Sequence, residues 1–343
     1  MSRSSRSKIR VGVVGIGYLG KFHVEKYAQI PEVEMAGLVD LSLERAKPWA
    51  EKVNVPAFDD HRRLLGAVDA VSVVVPTDQH YRVAKDFLQN GSDVLIEKPM
   101  ASTLQEADDL IATAEKHGRV LQVGLLERFN PAVLSARKLI HTPLFIESHR
   151  LTPFRGRGTE VDVVLDLMIH DLDIIQSFVC APAEEIHAVG VPVITDKVDI
   201  ASARIQFSNG CVANITSSRV SGEDQRRTRI FQPDTYVTVD YAAKRVARYH
   251  RLPGQGGQKP QISLETIPVE PGDALQMELN SFIQACAKRS APAVTGEDGK
   301  KALALAIAIS GQIQMNQEKI PSIISFYERK GNLPDAYGGR VPR

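Results

Sequence analysis

An aspartate and a histidine four residues apart (Asp166, His170) and a lysine followed by proline (Lys98-Pro99) are the residues of this chain best suited to acid–base chemistry. An imidazole titrates near neutrality and can take or give a proton at working pH. The pair lies in the segment Asp162–Val179, which is otherwise built from Val, Leu, Ile, Met and Phe. A helix that is apolar nearly all round is buried. Yet Asp166, His170, Asp173 and Ser177 recur at spacings of four, three and four and form one polar stripe. Such a stripe must meet a cavity, a ligand or matched polar partners, because unpaired buried polar groups are costly. Two readings stand: an internal Asp–His pair that ties the structure together, or a site in which Asp166 orients His170 for proton transfer. A metal is not expected, since no HxxxH or HExxH spacing is present.

A second motif supplies a partner for such chemistry. Gly15-Ile16-Gly17-Tyr18-Leu19-Gly20 fits GxGxxG between an apolar run and a helical pattern, the setting in which these glycines cradle a pyrophosphate. Gly15 allows the tight turn, Gly17 lets phosphate approach the backbone, and Gly20 lets the helix pack close on the strand. The N–H groups and dipole of the helix start attract the phosphates. Asp40 ends the second apolar run, 20 positions beyond Gly20, where a carboxylate accepts hydrogen bonds from the adenosine ribose. Leu41 and Ser42 follow without an arginine to neutralise a 2′-phosphate. The predicted cofactor is therefore NAD rather than NADP.

The elements that must position these groups follow from the pattern. Ile9–Val14, Glu34–Val39, Ala70–Val75, Asp93–Ile96 and Val120–Val123 are short, Val/Ile-rich and nearly continuous, as parallel strands buried on both faces are. Helical periodicity over Tyr18–Gln29, Leu43–Val53, His80–Asn90 and Thr103–His117 separates them. This predicts an α/β doubly wound parallel sheet, a Rossmann unit, over residues 1–124. Ligands bind such sheets at the carboxyl ends of the strands. Pro76, Thr77 and His80 follow the third run, and Glu97 and Lys98 the fourth, so all five are expected at the cofactor with Gly15, Ile16, Gly17, Tyr18, Leu19 and Asp40. For Lys98 the alternative is an ordinary exposed loop lysine; a cis Lys98–Pro99 bond would instead aim its side chain in one direction.

Beyond residue 125 the pattern changes. Pro131–Ile140 and Asp162–Val179 read as helices. Alternating runs follow at Ile186–Val193, Ile200–Phe207, Cys211–Ser217, Arg229–Phe231, Thr235–Val239, Val246–Tyr249 and Ile262–Ile267, with a hairpin signal at Ser208-Asn209-Gly210. Pro253–Gly257 is a flexible connection, and Ala274–Lys288 and Lys300–Gln317 are closing helices. Residues 125–343 are thus expected to form an α+β substrate-binding and oligomerisation unit around an open, mostly antiparallel sheet, with the last helices packing back on the first unit. The uncovered face of that sheet is expected to be apolar and to join copies of the chain into a dimer or tetramer.

Composition narrows the class. Forty-two basic and 41 acidic side chains leave a formal charge of +1, so no global field draws the chain to nucleic acid or to a membrane. Three cysteines (Cys180, Cys211, Cys286) without CxxC spacing argue against a disulfide or zinc scaffold and for a reducing compartment. Arg3, Arg6, Lys8 and Arg10 before Val11–Leu19 superficially resemble a signal peptide, but glycines interrupt the apolar run. Met1–Ser7 reads as a loose tail and the protein as cytoplasmic. Arg150, Arg155 and Arg157 cluster before the striped helix, and Arg219, Arg226, Arg227 and Arg229 form a second group. Guanidinium forks suit a diphosphate; solvated surface charge is the alternative.

With GIGYLG at 15–20, Asp40, Glu97-Lys98-Pro99 and Asp166-xxx-His170 in hand, the chain resembles the Gfo/Idh/MocA oxidoreductases over essentially its full length. The resemblance implies NAD-dependent oxidation of a secondary hydroxyl, a typically cis Lys–Pro bond, and catalytic roles for Lys98, Asp166 and His170. Either Lys98 or His170 could be the base. The segments Glu127–Ala132 and Leu165–Asp171 look most like the UDP-N-acetylglucosamine 3-dehydrogenase branch, which makes a 3-ketone that a partner aminotransferase can aminate. By that likeness Arg128 is expected at the cofactor. Asn130, Arg155, Arg157 and Arg219, with Lys98, Asp166 and His170, are expected at the substrate. Where many members carry glycines around the aspartate, this chain has Glu160-Val161-Asp162 and Met168, which sets it apart from a simple-sugar pocket. An unphosphorylated sugar or cyclitol dehydrogenase, or a dinucleotide sensor without turnover, are the competing readings; retention of Lys98 and His170 favours the enzyme.

Overall fold

The computed structural model describes residues 8–156, 161–253, 259–319 and Ser325; the expected tail Met1–Ser7, Arg157 and the glycine-rich part of the loop after Pro253 lie outside the described residues. The first sheet is six-stranded and parallel, in the order β3-β2-β1-β4-β5-β6. Its strands are β1 (Ile9–Val14), β2 (Val33–Val39), β3 (Ala57–Phe58), β4 (Ala70–Val73), β5 (Asp93–Glu97) and β6 (Leu121–Gly124). The connecting helices are α1 (Gly20–Tyr27), α2 (Leu43–Lys52), α3 (Thr77–Gln89) and α4 (Leu104–Lys116). Pleating sends Val11 and Val13 into one core and Val14 and Val73 into the other, so both faces must be covered. Helices α1 and α2 cover one face. They are joined there by α7 (Ala274–Lys288), which contributes Leu279 and Phe282, both fully buried. The edge strand β3 escapes the sequence pattern because it has only two residues.

Crossing over after α5 (Pro131–Arg137), the chain builds an eight-stranded sheet in the order β14-β13-β12-β11-β7-β10-β9-β8. Its strands are β7 (Phe145–Leu151), β8 (Ala183–Val191), β9 (Ile200–Phe207), β10 (Val212–Ser218), β11 (Gln225–Phe231), β12 (Thr235–Asp240), β13 (Arg245–Leu252) and β14 (Gln261–Ile267). Only β7 and β10 run parallel; every other neighbouring pair is antiparallel. Strand β7, at the centre of the register, was not foreseen. Its inward residues are Ile146, Ser148 and Arg150, so two of three core-facing positions are polar and the alternation of hydrophobicity disappears. Helices α6 (Ile169–Val179) and α8 (Gly296–Gln317) lie on this inner face, with α8 also reaching α4 and β6.

The outer face of the large sheet differs from the apolar surface expected of it. Ion pairs Arg229–Glu147 (2.6 Å) and Arg227–Asp240 (3.6 Å) occupy its middle. Aromatic side chains form one stripe across β7, β11, β12 and β13, where Phe145, Phe231, Tyr236 and Tyr249 stack with centroids 5.6, 5.1 and 4.2 Å apart, and Val189 and Val191 stand exposed on β8 at the other edge. The stripe ends at Leu264 and Ile262 on β14, which are 58% and 74% exposed.

Candidate active site

The glycine turn after β1 has the geometry its spacing demands. Gly15 adopts φ +95°, a left-handed conformation open to glycine, and a Cβ there would lie 2.4 Å from the Val74 carbonyl oxygen. A Cβ on Gly20 would lie 1.8 Å from the Gly15 carbonyl oxygen, so this residue lets α1 start against the turn. Around Gly17 nothing lies within 4 Å: the space a side chain would take is open cavity. That cavity, about 660 Å³, runs along the carboxyl edge of the sheet and is lined by Gly15, Gly17, Asp40, Arg45, Pro76 and Gln79 among others. The residues present therefore fit a dinucleotide, with backbone at the phosphates and a carboxylate at the far end.

Asp40 is more heavily engaged than its position in the sequence suggests. Its Oδ2 accepts the Ile16 N–H at 2.8 Å, its Oδ1 accepts the Ser42 N–H at 2.9 Å, and Arg45 donates to Oδ1 through Nη2 (2.8 Å) and Nε (3.2 Å). Positions 41 and 42 hold no arginine, but Arg45 does reach Asp40. Arg45 comes from the first turn of α2 and reaches back across it. The outer wall, Asp59–Arg62, was also missed, because it follows the two-residue strand β3.

Several other residues expected at the cofactor also make contacts within the protein. His80 is buried, and its two ring nitrogens lie 2.8 Å from the carbonyl oxygens of Pro99 and Val75. It bridges the loops after β4 and β5, and burial holds its pKa below the usual value. Glu97 packs its carboxyl group onto Gly124 and meets His23 at 3.1 Å. Thr77 opens α3, Leu19 caps α1, and Tyr18 stands exposed on the surface with its ring edge to Phe22.

Across the edge, Lys98 rises from the end of β5, and the Lys98–Pro99 peptide is cis. Its Nζ donates to the Asp166 backbone oxygen at 2.6 Å and to Asp166 Oδ1 at 3.2 Å. Asp166 belongs to one π-helical turn, Val164–Met168, that leads into α6. The wider turn breaks the regular four-residue spacing, and the single stripe expected there divides. Asp166 turns to Lys98 rather than to His170. Asp173 turns to Arg128, in a fork with both distances 2.7 Å, and burial raises its pKa to about 6 despite that cation. Ser177 donates to the Ile174 backbone oxygen within its own helix. His170 has Nδ1 buried without a hydrogen-bond partner. Burial first, and then the positive charges of Lys98, Arg150 and Arg226, hold its pKa well below 6.5. It is a neutral imidazole at pH 7, and so able to accept a proton.

The arginine clusters also resolve differently. Arg150 is buried on β7, forked to Asp171 (2.8 and 3.1 Å) and bonded to Glu127 (2.9 Å). Period-two alternation along β11 puts Arg226 on the inner face opposite Arg150, but Arg227 and Arg229 on the outer face. Arg155 pairs with Asp224 at 2.8 Å, and buried Arg219 donates to the Val161 and Val198 backbone oxygens and lies 3.5 Å from Asp199. Every described arginine of the two clusters has a carboxylate within 4 Å, so they do not form one open cationic pocket. Arg157 lies outside the described residues. Asn130, expected at the substrate, caps α5 instead: its oxygen accepts the Ala132 N–H, and its amide donates to Glu127 and to the Tyr241 backbone oxygen. Arg128 is committed to Asp173 and is not among the residues lining the nucleotide cavity. Asp171, a buried anion essential to this frame, was hidden in the sequence because Asp166 and Asp173 fitted the stripe and it did not.

A glycine turn, an acidic strand end and a long cavity on one side, with a lysine–carboxylate pair and a neutral histidine beside it, are the parts of a NAD-dependent oxidoreductase. Known proteins agree. The pattern of the GFO_IDH_MocA oxidoreductases with a NAD-binding Rossmann fold matches residues 9–125, and the GFO/IDH/MocA C-terminal domain matches residues 145–233. A UDP-N-acetylglucosamine 3-dehydrogenase of Acidithiobacillus ferrooxidans is 39% identical over 302 residues, 88% of this chain and 96% of that protein. Its solved structure superposes with a TM-score of 0.85 over 90% of this chain and 99% of that one. A myo-inositol 2-dehydrogenase of Thermotoga maritima is 27% identical over 89% of this chain and 96% of its own length. A levoglucosan dehydrogenase in complex with NADH, at 17% identity over 90% of this chain and 98% of its own, shares the fold with a TM-score of 0.81. The chain belongs to the Gfo/Idh/MocA family of oxidoreductases.

Proposed function

We propose that this enzyme oxidises the C3 hydroxyl of UDP-N-acetylglucosamine to a ketone, with Lys98, Asp166 and His170 as its working residues. The observation that carries the chemistry is the convergence of Lys98, from the carboxyl end of the parallel sheet, on the turn that leads into the His170 helix. The substrate reading rests on the relative of 39% identity that carries this name. NAD held along the glycine turn and Asp40 would supply the hydride acceptor. His170, uncharged at neutral pH, takes the hydroxyl proton through Nε2, the nitrogen left for exchange when Nδ1 is buried. Lys98 donates a hydrogen bond to the same oxygen and stabilises negative charge as it develops. Asp166 keeps the ammonium in place. The alcohol thus loses a hydride from carbon and a proton from oxygen, and a ketone, NADH and protonated His170 result.

A 3-ketone is a substrate for transamination, and an aminotransferase is the downstream partner we infer. The aromatic stripe on the outer face of the large sheet supports a homodimer, or a tetramer of two such dimers. No described helix is long and apolar enough to cross a membrane, in keeping with a cytoplasmic enzyme. The deciding experiment follows NAD reduction with UDP-N-acetylglucosamine, free N-acetylglucosamine and myo-inositol, with mass spectrometry of the products. Turnover with loss of two hydrogens from the nucleotide sugar is expected. Remote binding energy should raise kcat as well as lower KM relative to the free sugar. Equal efficiency on the free sugar or the inositol would replace the nucleotide-sugar reading with the cyclitol one.

A further inference from the structure

The arginines around the large sheet differ in what they have left to offer a ligand. Arg150 is buried and spends its guanidinium on Asp171 and Glu127. Arg219 is buried as well and donates to two backbone oxygens. Arg227 and Arg229 enter ion pairs on the outer face, away from His170. Arg155 hydrogen-bonds Asp224 at 2.8 Å. Among these, Arg226 alone combines an inward direction with an accessible guanidinium. Its side chain is 38% exposed, and Asp224, already held by Arg155, lies 3.8 Å from it. That guanidinium donates no hydrogen bond to any described residue.

The register places this uncommitted fork. Arg226 pairs with Arg150 across β11 and β7, so the two side chains stand side by side on the inner face. From there the charge of Arg226 reaches both His170 and Glu127. An anion that meets Arg226 therefore lies near the base, and it meets a two-pronged donor suited to phosphate oxygens. In a nucleotide sugar the diphosphate hangs from C1 of the same ring whose C3 hydroxyl reacts, so the anion accompanies the reacting carbon at short range.

We propose that Arg226 is the residue that recognises the substrate's diphosphate, holding it beside His170 and so selecting a nucleotide sugar over a free sugar or a cyclitol. This assignment rests on the substrate reading above and deepens it. Diphosphate binding also tunes the base. The cations facing His170 are Lys98, Arg150 and Arg226. Asp166 already lies on the first, and Asp171 and Glu127 on the second. Arg226 is thus the cation whose charge a bound diphosphate cancels. Cancelling it strengthens His170 as a base once the nucleotide sugar is in place.

Steady-state oxidation of UDP-N-acetylglucosamine at saturating NAD, with UDP as competitive inhibitor, tests this. Arg226→Ala and the longer Arg226→Gln should each raise the Ki of UDP and lower kcat/KM at least about tenfold, the size of a lost charge-assisted contact. Thermal melts show which variants fold, and either one suffices. Arg226→Lys, which keeps the charge and loses the fork, should fall between. Arg227→Ala, one position along the strand and on the outer face, should stay within about twofold of wild type. In wild type the acid limb of kcat, set by the substrate complex, should lie at higher pH than that of kcat/KM, set by the free enzyme. Without Arg226 the kcat/KM limb should move up to meet it, a change that a merely structural role would not produce. If UDP-N-acetylglucosamine is oxidised but UDP inhibits the Arg226 variants as strongly as wild type, or Arg227→Ala weakens UDP equally, the role assigned to Arg226 is wrong. If wild-type protein does not oxidise UDP-N-acetylglucosamine at all, the substrate reading itself fails and takes this assignment with it.

Discussion

Replacing Arg150 by methionine should show how much of the site's rigidity depends on one buried cation. Arg150 makes three hydrogen bonds to two carboxylates, Asp171 and Glu127, and all three side chains are almost wholly removed from water. Burial drives Glu127 toward the neutral form, yet it stays below its usual pKa because the charge and hydrogen bond of Arg150 outweigh the burial. Without Arg150 the Asp171 and Glu127 carboxyl groups lose the cation that hydrogen-bonds them both, and the charge of Arg226 acts on Glu127 only through space. Breaking a buried pair by removing one partner costs about 3–5 kcal/mol. With an unfolding entropy of roughly 2.1 cal/mol/K per residue, a chain of 343 residues should lose about 4–7 °C in its melting midpoint. Differential scanning calorimetry at pH 7.5 measures this directly. The same variant removes one of the cations that depress the pKa of His170, so the acid limb of its kcat/KM profile should move to higher pH. Adding Asp171→Leu and Glu127→Gln should restore most of the lost stability, because apolar substitutes for a buried ion network are often close to neutral. A single Arg150→Met variant that melts within about 1 °C of wild type would refute the argument, as would a triple variant less stable than the single one.

Other expectations follow from the same geometry. The His170 pKa lies well below 6.5, so its neutral form dominates at pH 7. The kcat/KM of the alcohol oxidation should be level through neutrality and fall only as the pH drops through that lowered pKa; a limb at or above pH 7 would be inconsistent with His170 as the base. His170→Asn and Lys98→Met should each lower turnover roughly a hundredfold or more with NADH affinity by calorimetry unchanged, and full activity in the histidine variant would exclude it. Gly17→Ala should melt like wild type, because nothing lies within 4 Å of its new methyl group, yet lose cofactor affinity at least about tenfold as the methyl takes phosphate space. Gly20→Ala, whose methyl would meet the Gly15 carbonyl oxygen at 1.8 Å, should be destabilised by more than about 2 kcal/mol in urea unfolding.

Much of this protein was legible without coordinates because the signals were local. Parallel strands buried on both faces announce themselves as short Val/Ile runs, and Gly15, Gly17 and Gly20 have roles that follow from where a Cβ cannot go. The placement of Lys98 at the end of β5 followed from the topology of such sheets alone. What the sequence could not decide was which charged side chain meets which. The spacing of Asp166, His170, Asp173 and Ser177 read as one stripe, but a single π turn and three separate partners, Lys98, Arg128 and the Ile174 carbonyl oxygen, divided it. Arg150, Arg219 and Arg226 read as free cations, but their acids come from residues 21 positions, 20 positions and two positions away. Strand β7 stayed hidden because its inward side carries Ser148 and Arg150, which only Thr228, Asp171 and Glu127 make tolerable in a core. Arg45 at Asp40 required the turn of α2 to bring it back. Hydrophobic periodicity is a property of neighbours along the chain, so the sequence carries it. The neutralisation of a charge depends on atoms a few ångströms apart in space, and only the folded chain brings those together.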